Sequence, residues 1–259
     1  MSKILISGYY GFANAGDEAM LTAIIESLRQ VEKNVELTVL SGNPEDTAAK
    51  HQVCSVYRFN PLGIIRAMKD SELIISGGGS LLQDVTSKRS LLYYLSIIGL
   101  GKFFGKKVML FAQGIGPIRA KWARKLTSLV CNEVDLITVR DSESAVELIE
   151  MGVKPEKITV TADSVLSLNP VTKECGQYLL QEAGVDLTKP VIGISVRPWS
   201  GDSQCFQVLA EAASKLQQSY GAQLILLPLQ YSVDVKACEK LRKALVCQKA
   251  VSYTHLTLP

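Results

Sequence analysis

The chain has 259 residues, of which 47% are hydrophobic and 20% charged, and its 28 Lys and Arg against 25 Asp and Glu leave a formal charge of +3. That is apolar material for a real core, in one large or two ordinary domains. The charge is too mild for a nucleic-acid surface, and no RNP signature, basic arm or finger spacing accompanies it, so no nucleic-acid partner is expected.

The six cysteines, Cys54, Cys131, Cys175, Cys205, Cys238 and Cys247, form no Cys-x-x-Cys pair. Reduced thiols and a cytoplasmic location are expected rather than a disulfide framework or a zinc site. No metal-ligand spacing occurs, and no metal requirement is expected. The apolar start is too short for a signal peptide. The longest apolar stretch, 91–104, is broken by Ser96, Gly99, Gly101 and Lys102 and falls below the roughly 20 residues that span a bilayer. It reads as a buried helix, with peripheral contact to a membrane as the second reading.

In chain order, the apolar run Ile4-Leu5-Ile6 reads as a buried strand, and Leu21, Ile24, Ile25 and Leu28 carry the period of a helix. Between them lies a glycine-rich turn, Ser7-Gly8-Tyr9-Tyr10-Gly11-Phe12-Ala13-Asn14-Ala15-Gly16-Asp17-Glu18. Such a turn lets a ligand approach the backbone, and the helix after it offers free N–H groups. It is not a dinucleotide fingerprint, because Gly-x-Gly-x-x-Gly is absent. Gly11 and Gly16 have Walker spacing, but Asp17-Glu18 stands where Lys-Ser/Thr would hold a triphosphate.

Strand patterns at 3–7, 35–41, 52–57, 73–76, 107–112, 135–140 and 157–162 alternate with helix patterns at 17–31, 61–70, 90–104, 119–132, 142–151 and 174–183. This predicts an α/β fold with a parallel sheet covered on both faces. In such folds the ligand crevice lies beyond the carboxyl ends of the strands. Those ends are Gly8, Ser41-Gly42-Asn43, Gly77-Gly78-Gly79, Gln113-Gly114, Arg140-Asp141 and Asp163-Ser164, an edge rich in glycine, amide and charge. A first Rossmann-like domain is expected over 1–169 and a linker over 170–189. A second, partial α/β domain follows over 190–250, with strands at 191–196 and 222–227 and helices at 205–219 and 233–246. Residues 251–259 do not continue the alternation and read as a non-native tail.

The opening motif Gly8-Tyr9-Tyr10-Gly11-Phe12, with Asn14 and Gly16-Asp17-Glu18 after it, resembles that of the polysaccharide pyruvyl transferase family, in its bacterial cell-wall branch. Ser76-Gly77-Gly78-Gly79-Ser80-Leu81-Leu82-Gln83-Asp84, Ala112-Gln113-Gly114-Ile115-Gly116-Pro117, Val139-Arg140-Asp141 and Gly193-Ile194-Ser195-Val196-Arg197-Pro198-Trp199 match it too. The resemblance covers residues 1 to about 245. It implies two Rossmann-like, doubly wound domains similar to GT-B glycosyltransferases, the second incomplete here. It also implies an Arg-Leu-His motif that this sequence lacks. Its only histidines are His51, expected at the surface, and His255 in the tail. Neither is carried over as catalytic, and the chain is expected to be truncated and poorly active or inactive.

The implied reaction is ketal-pyruvyl transfer from phosphoenolpyruvate, with no cofactor, onto a sugar of a cell-wall polysaccharide precursor. That sugar is expected to be N-acetylmannosamine, and the product to anchor surface-layer proteins. Expected partners are the donor and a lipid-linked or polymeric amino-sugar acceptor, with peripheral contact to the inner membrane face and an oligomer both open. Asp17 is either a helix cap or the group that orients or deprotonates the acceptor. Arg140 either pairs with Asp141 or contacts substrate, and with Asp17 it is taken as catalytic. Arg197 is taken as donor-binding. So are Gly77, Gly78 and Gly79, which form an anion nest or only a tight turn. Tyr10, Asn14, Asp84 and Asp163 are taken as acceptor-binding, with capping as the alternative for the two acids. Arg119, Lys121, Arg124 and Lys125 read as a solvated face or as a contact for diphosphate or lipid heads. A GT-B enzyme using a nucleotide-sugar, or a non-catalytic Rossmann-type binding module, is the alternative function.

Overall fold

A computed structural model describes residues 1–198, 203–245 and 251–252. Trp199, Cys247 and His255 lie outside the described residues. The chain divides into two units, one of Met1–Phe12 with Gly16–Leu168 and the other of Ala13–Ala15 with Asn169–Pro259.

The first unit is built on seven strands, β1 (Lys3–Tyr10), β2 (Glu36–Ser41), β3 (Cys54–Tyr57), β4 (Leu73–Gly77), β5 (Lys107–Gln113), β6 (Leu136–Val139) and β7 (Ile158–Val160). Their order is β3-β2-β1-β4-β5-β6-β7, and every neighbouring pair is parallel. The strand order reverses direction between β1 and β4, which places the switch point of the winding, and its crevice, at their carboxyl ends.

Alternation along each strand assigns side chains to the two faces. Ile4 and Ile6 of β1, Leu37 and Val39 of β2 and Ile75 of β4 pack with Leu21, Ile24 and Ile25 of α1 (Ala15–Val31). The intervening Leu5, Leu40 and Ile74 join the opposite core, with Ile64 and Met68 of α3 (Pro61–Asp70) and Leu91, Tyr94, Leu95 and Ile98 of α4 (Lys88–Phe103). Burial on both faces is why these strands read as continuous apolar runs. Further along lie α5 (Lys121–Glu133) and α6 (Ser142–Glu150).

One helix has no counterpart in the predicted pattern. α2 (Pro44–His51) buries only Thr47, so it carries no apolar stripe. It is started by local chemistry instead, the Asn43 side chain accepting from the Asp46 N–H with Pro44 in the first turn. His51, expected at the surface, is largely buried at its side chain (9% exposed), with Nε2 3.4 Å from Glu18 Oε2.

The second unit holds α7 (Lys173–Glu182), β8 (Val191–Ile194), α8 (Ser203–Tyr220), β9 (Gln223–Leu226) and α9 (Tyr231–Ala244). Leu224, Leu226, Ala210, Ala213, Ala237 and Leu241 form its core. Val251 and Ser252, expected to fall outside the alternation, form β10 (Val251–Ser252), parallel to β9. No helix among the described residues is long and apolar enough to cross a membrane.

Candidate active site

The carboxyl ends of β4, β5 and β6 gather most of the predicted residues of the first unit. β4 runs into Gly78 and Gly79, whose φ angles of +83° and +68° are conformations that side chains rarely adopt. The Gly79 N–H donates to Met20 Sδ at 2.9 Å. A Cβ at Gly79 would stand 3.1 Å from Asp17 Oδ1, so the Asp17 carboxylate, in the first turn of α1, lies directly over this turn.

Arg140 follows β6 and reaches across Gly114. Its Nη2 donates to Ser80 Oγ at 3.1 Å and its Nη1 to Asp163 Oδ2 at 3.2 Å, while Nε sits 3.4 Å from Asp141 Oδ2. The guanidinium lies so close to the β5 turn that a Cβ on Gly114 would fall 2.7 Å from it and 2.6 Å from Ser80 Oγ. The Gly114 N–H donates to Gly79 O at 3.1 Å, which ties the β4 and β5 turns together. The pair with Asp141 therefore coexists with contacts to Ser80 and Asp163, and Arg140 stays partly exposed to solvent. Asp141 also caps α6. The Ser144 hydrogen bonds, with the Arg140 charge behind them, hold its carboxyl below the usual range. Asp163 uses its other oxygen to accept from the Val165 N–H at 3.1 Å.

Two predicted residues are placed differently. Tyr10 is fully buried in the core under α1, and its hydroxyl donates to Gly77 O at 2.5 Å. Burial, and then the Asp17 charge, push its phenol well above the ordinary value. Its ring offers no face to a ligand, and its role is to hold the β4 turn from beneath. Asp84 accepts from the backbone N–H groups of Arg119 and Ala120, both at 2.9 Å, and these bonds lower its pKa. It anchors the segment ahead of α5. On that helix Arg124 pairs with Glu147 at 2.6 Å, so the basic cluster is not uniformly solvated.

In the second unit, Arg197 is exposed and its Nη2 donates to the side-chain oxygen of Gln230. Asn14, which counts with this unit, bridges the same Gln230 in an antiparallel backbone pairing. The Gln230 N–H in turn donates to Asp234 Oδ2 at 2.7 Å, and Asp234 is buried.

Sequence reasoning passed over two residues of the first unit. His51 braces Glu18, whose other oxygen accepts from the Gly11 N–H at 2.8 Å, so a pair from α1 and α2 holds the opening turn. Arg58 stands immediately after β3 and is 5% exposed. The visible signal was a cation between two aromatics at a strand end, Tyr57-Arg58-Phe59, with the Tyr93-Tyr94 pair further on.

The sequence profile of the polysaccharide pyruvyl transferase family matches residues 14–257. The chain belongs to that family. Polysaccharide pyruvyl transferases are enzymes. No curated protein matches the chain in sequence. Among solved structures, this pyruvyl transferase resembles Anabaena HepE in complex with UDP-glucose, with a TM-score of 0.60 and 14% identity over 98% of this chain and 69% of that one. It also resembles the UDP-GlcNAc 2-epimerase of Neisseria meningitidis bound to UDP-GlcNAc, with a TM-score of 0.59 and 12% identity over 98% and 71%. The UDP-GlcNAc 2-epimerase of Methanocaldococcus jannaschii gives 0.62 and 10% over 100% and 74%. At such identities the likeness is one of fold, in keeping with the Rossmann-like α/β class expected from the sequence.

Proposed function

We propose that this pyruvyl transferase converts phosphoenolpyruvate and a sugar diol into a cyclic pyruvate ketal and inorganic phosphate. The acceptor is an amino sugar, N-acetylmannosamine, of a lipid-linked or polymeric cell-wall precursor, modified at the inner face of the membrane. The ketal then serves to anchor surface-layer proteins. Two hydroxyl oxygens bond to C2 of the donor while the C2–O bond to phosphate breaks. One hydroxyl proton ends on the methylene carbon, which becomes methyl, and the other leaves with phosphate.

Such a donor is densely anionic and calls for guanidinium and backbone N–H groups. In this reading Arg140 neutralises charge that develops on the departing phosphate, and Asp17 orients and deprotonates an acceptor hydroxyl. Arg197 and the Gly77-Gly78-Gly79 turn bind the donor, and Asn14 and Asp163 contact the sugar. The observation that supports it most is the convergence of Arg140, Ser80 and Asp163 across Gly114, with Asp17 over the adjoining Gly79.

The test is acceptor-dependent phosphate release from phosphoenolpyruvate, with the product weighed by mass spectrometry. A product heavier than the acceptor by one pyruvyl ketal is expected, in the presence of chelator as in its absence. The solved neighbours bound to UDP and UDP-sugars favour a second reading, transfer from a nucleotide-sugar. Release of UDP from a UDP-sugar without phosphoenolpyruvate would replace the first reading with that one.

A further inference from the structure

Arg58 has an unusual environment for a buried cation. Its guanidinium carbon lies 4.4 Å from the ring centre of Tyr93, 5.2 Å from Phe59, 5.3 Å from Phe12, 5.4 Å from Tyr94 and 6.0 Å from Tyr9. All six residues belong to the first unit. Among the described residues its guanidinium makes one long hydrogen bond, 3.4 Å from Nη2 to the Tyr94 hydroxyl, while Nε and Nη1 are buried without a hydrogen-bond partner; the Tyr93 hydroxyl donates to the Arg58 backbone carbonyl at 3.1 Å. No ion pair among the described residues includes it.

Aromatic faces attract the cation, but they do not replace oxygen acceptors in the plane of the guanidinium. A buried charge with donors left unmade is costly, and an apolar side chain of similar volume would fill the same space without that cost. Arg140, by contrast, has three oxygen partners. An oxyanion would supply the acceptors that these two donors lack.

The placement agrees. The Arg58 N–H donates to Ser41 O at 2.9 Å, extending the β2–β3 ladder by a residue, so the guanidinium stands at the same carboxyl edge as the β1 and β4 turns. Tyr9 and Phe12 stack at 4.3 Å with planes 12° apart, and Phe12 lies against Gly42, where a Cβ would come within 2.6 Å of its ring. Phe59, 61% exposed, continues the aromatic surface to solvent. A cation ringed by partly exposed aromatic faces suits a phosphate group attached to a sugar, the phosphate on Arg58 and the apolar sugar face against a ring.

We propose that Arg58, with the rings of Tyr9, Phe12 and Tyr93, forms a phosphate subsite of the first unit. Its phosphate comes either from the acceptor, as a sugar phosphate or diphosphate, or from the phosphoenolpyruvate donor, and this choice of sources rests on the function proposed above. The test follows the Arg58 Nε–H signal by NMR in the whole 15N-labelled protein, assigned by its loss in Arg58→Lys. It is titrated separately with pyrophosphate, standing for the acceptor diphosphate, and with phosphoenolpyruvate. The expected result is a saturable shift of that signal with one of the two, and affinity for that probe lower by about tenfold or more in Arg58→Met. Pyrophosphate alone acting assigns the acceptor, and phosphoenolpyruvate alone the donor. A signal unmoved by both probes overturns the subsite even if Arg58→Met fails to fold, and so does unchanged affinity in a folded Arg58→Met. Binding without ketal formation leaves the subsite standing and counts against the pyruvyl reading, while ketal formation with an unmoved Arg58 signal does the reverse.

Discussion

Gly114 and Arg140 show how little room the candidate site leaves. A methyl group at Gly114 would meet both the guanidinium and the Ser80 hydroxyl inside van der Waals contact, so Gly114→Ala has to displace one of them. We expect it to reduce ketal formation by about a hundredfold or more, the scale of losing one positioned transition-state donor, in a protein that still folds by circular dichroism. Arg140→Lys should behave alike, because a point charge on a flexible stem cannot reproduce a planar fork that meets Ser80, Asp163 and Asp141 at once. The division of labour proposed for Asp17 and Arg197 is checked by steady-state kinetics. Asp17→Asn is expected to lower kcat with the donor KM nearly unchanged, and Arg197→Ala to raise the donor KM. Equal changes in both constants for the two variants would reject that division. For Tyr10, the phenylalanine variant leaves the Gly77 carbonyl short of its buried donor, at an expected cost of about 1–3 kcal/mol in urea unfolding.

Among the elements, β5, β6 and α4 meet at Asp135. Its carboxylate accepts from Lys102 at 2.6 Å, from the Val108 N–H at 2.8 Å and from Lys107 at 3.3 Å. Desolvation raises its pKa, but these bonds outweigh that and hold it at about 2 against the ordinary 3.8. A depressed carboxyl stabilises the fold above the unfolded pKa and loses that contribution as pH falls through the folded one. Asp135→Asn should therefore cost about 2 kcal/mol near neutral pH. The gap to the native protein should close between about pH 4 and pH 2, read as Tm against pH. The central strands β1, β4 and β5 were legible because both faces of the sheet are covered there, so each appears as a largely apolar run between turn residues. α2 was not, because its signals are a cap and a proline rather than a buried stripe. The same limit hid Arg58. Glycine and amide at strand ends point to a site by composition, whereas an arginine acquires meaning only when Tyr9 and Phe12 from one stretch and Tyr93 from another, all distant from it in the chain, are seen around it. Tyr10 and Asp84 show the converse, since a residue type suited to sugar contact is equally suited to holding a turn.

At the scale of the whole molecule, each unit carries its own core, and a cavity can be made in either. Ile98→Ala in the first and Leu241→Ala in the second, both fully buried, are each expected to cost about 2–5 kcal/mol. Calorimetry would show whether each lowers one transition or a shared one, and hence whether a single unfolding free energy describes the chain. A last consequence follows from the strand lengths. β1, near the middle of the large sheet, has 8 residues, but the outermost strands β3 and β7 have 4 and 3. An outermost strand shows unpaired N–H and C=O groups on which a foreign chain can build. With so few residues on either border, the sheet offers almost no template for strand addition. Short borders of this kind work against border-to-border joining of this sheet with another copy.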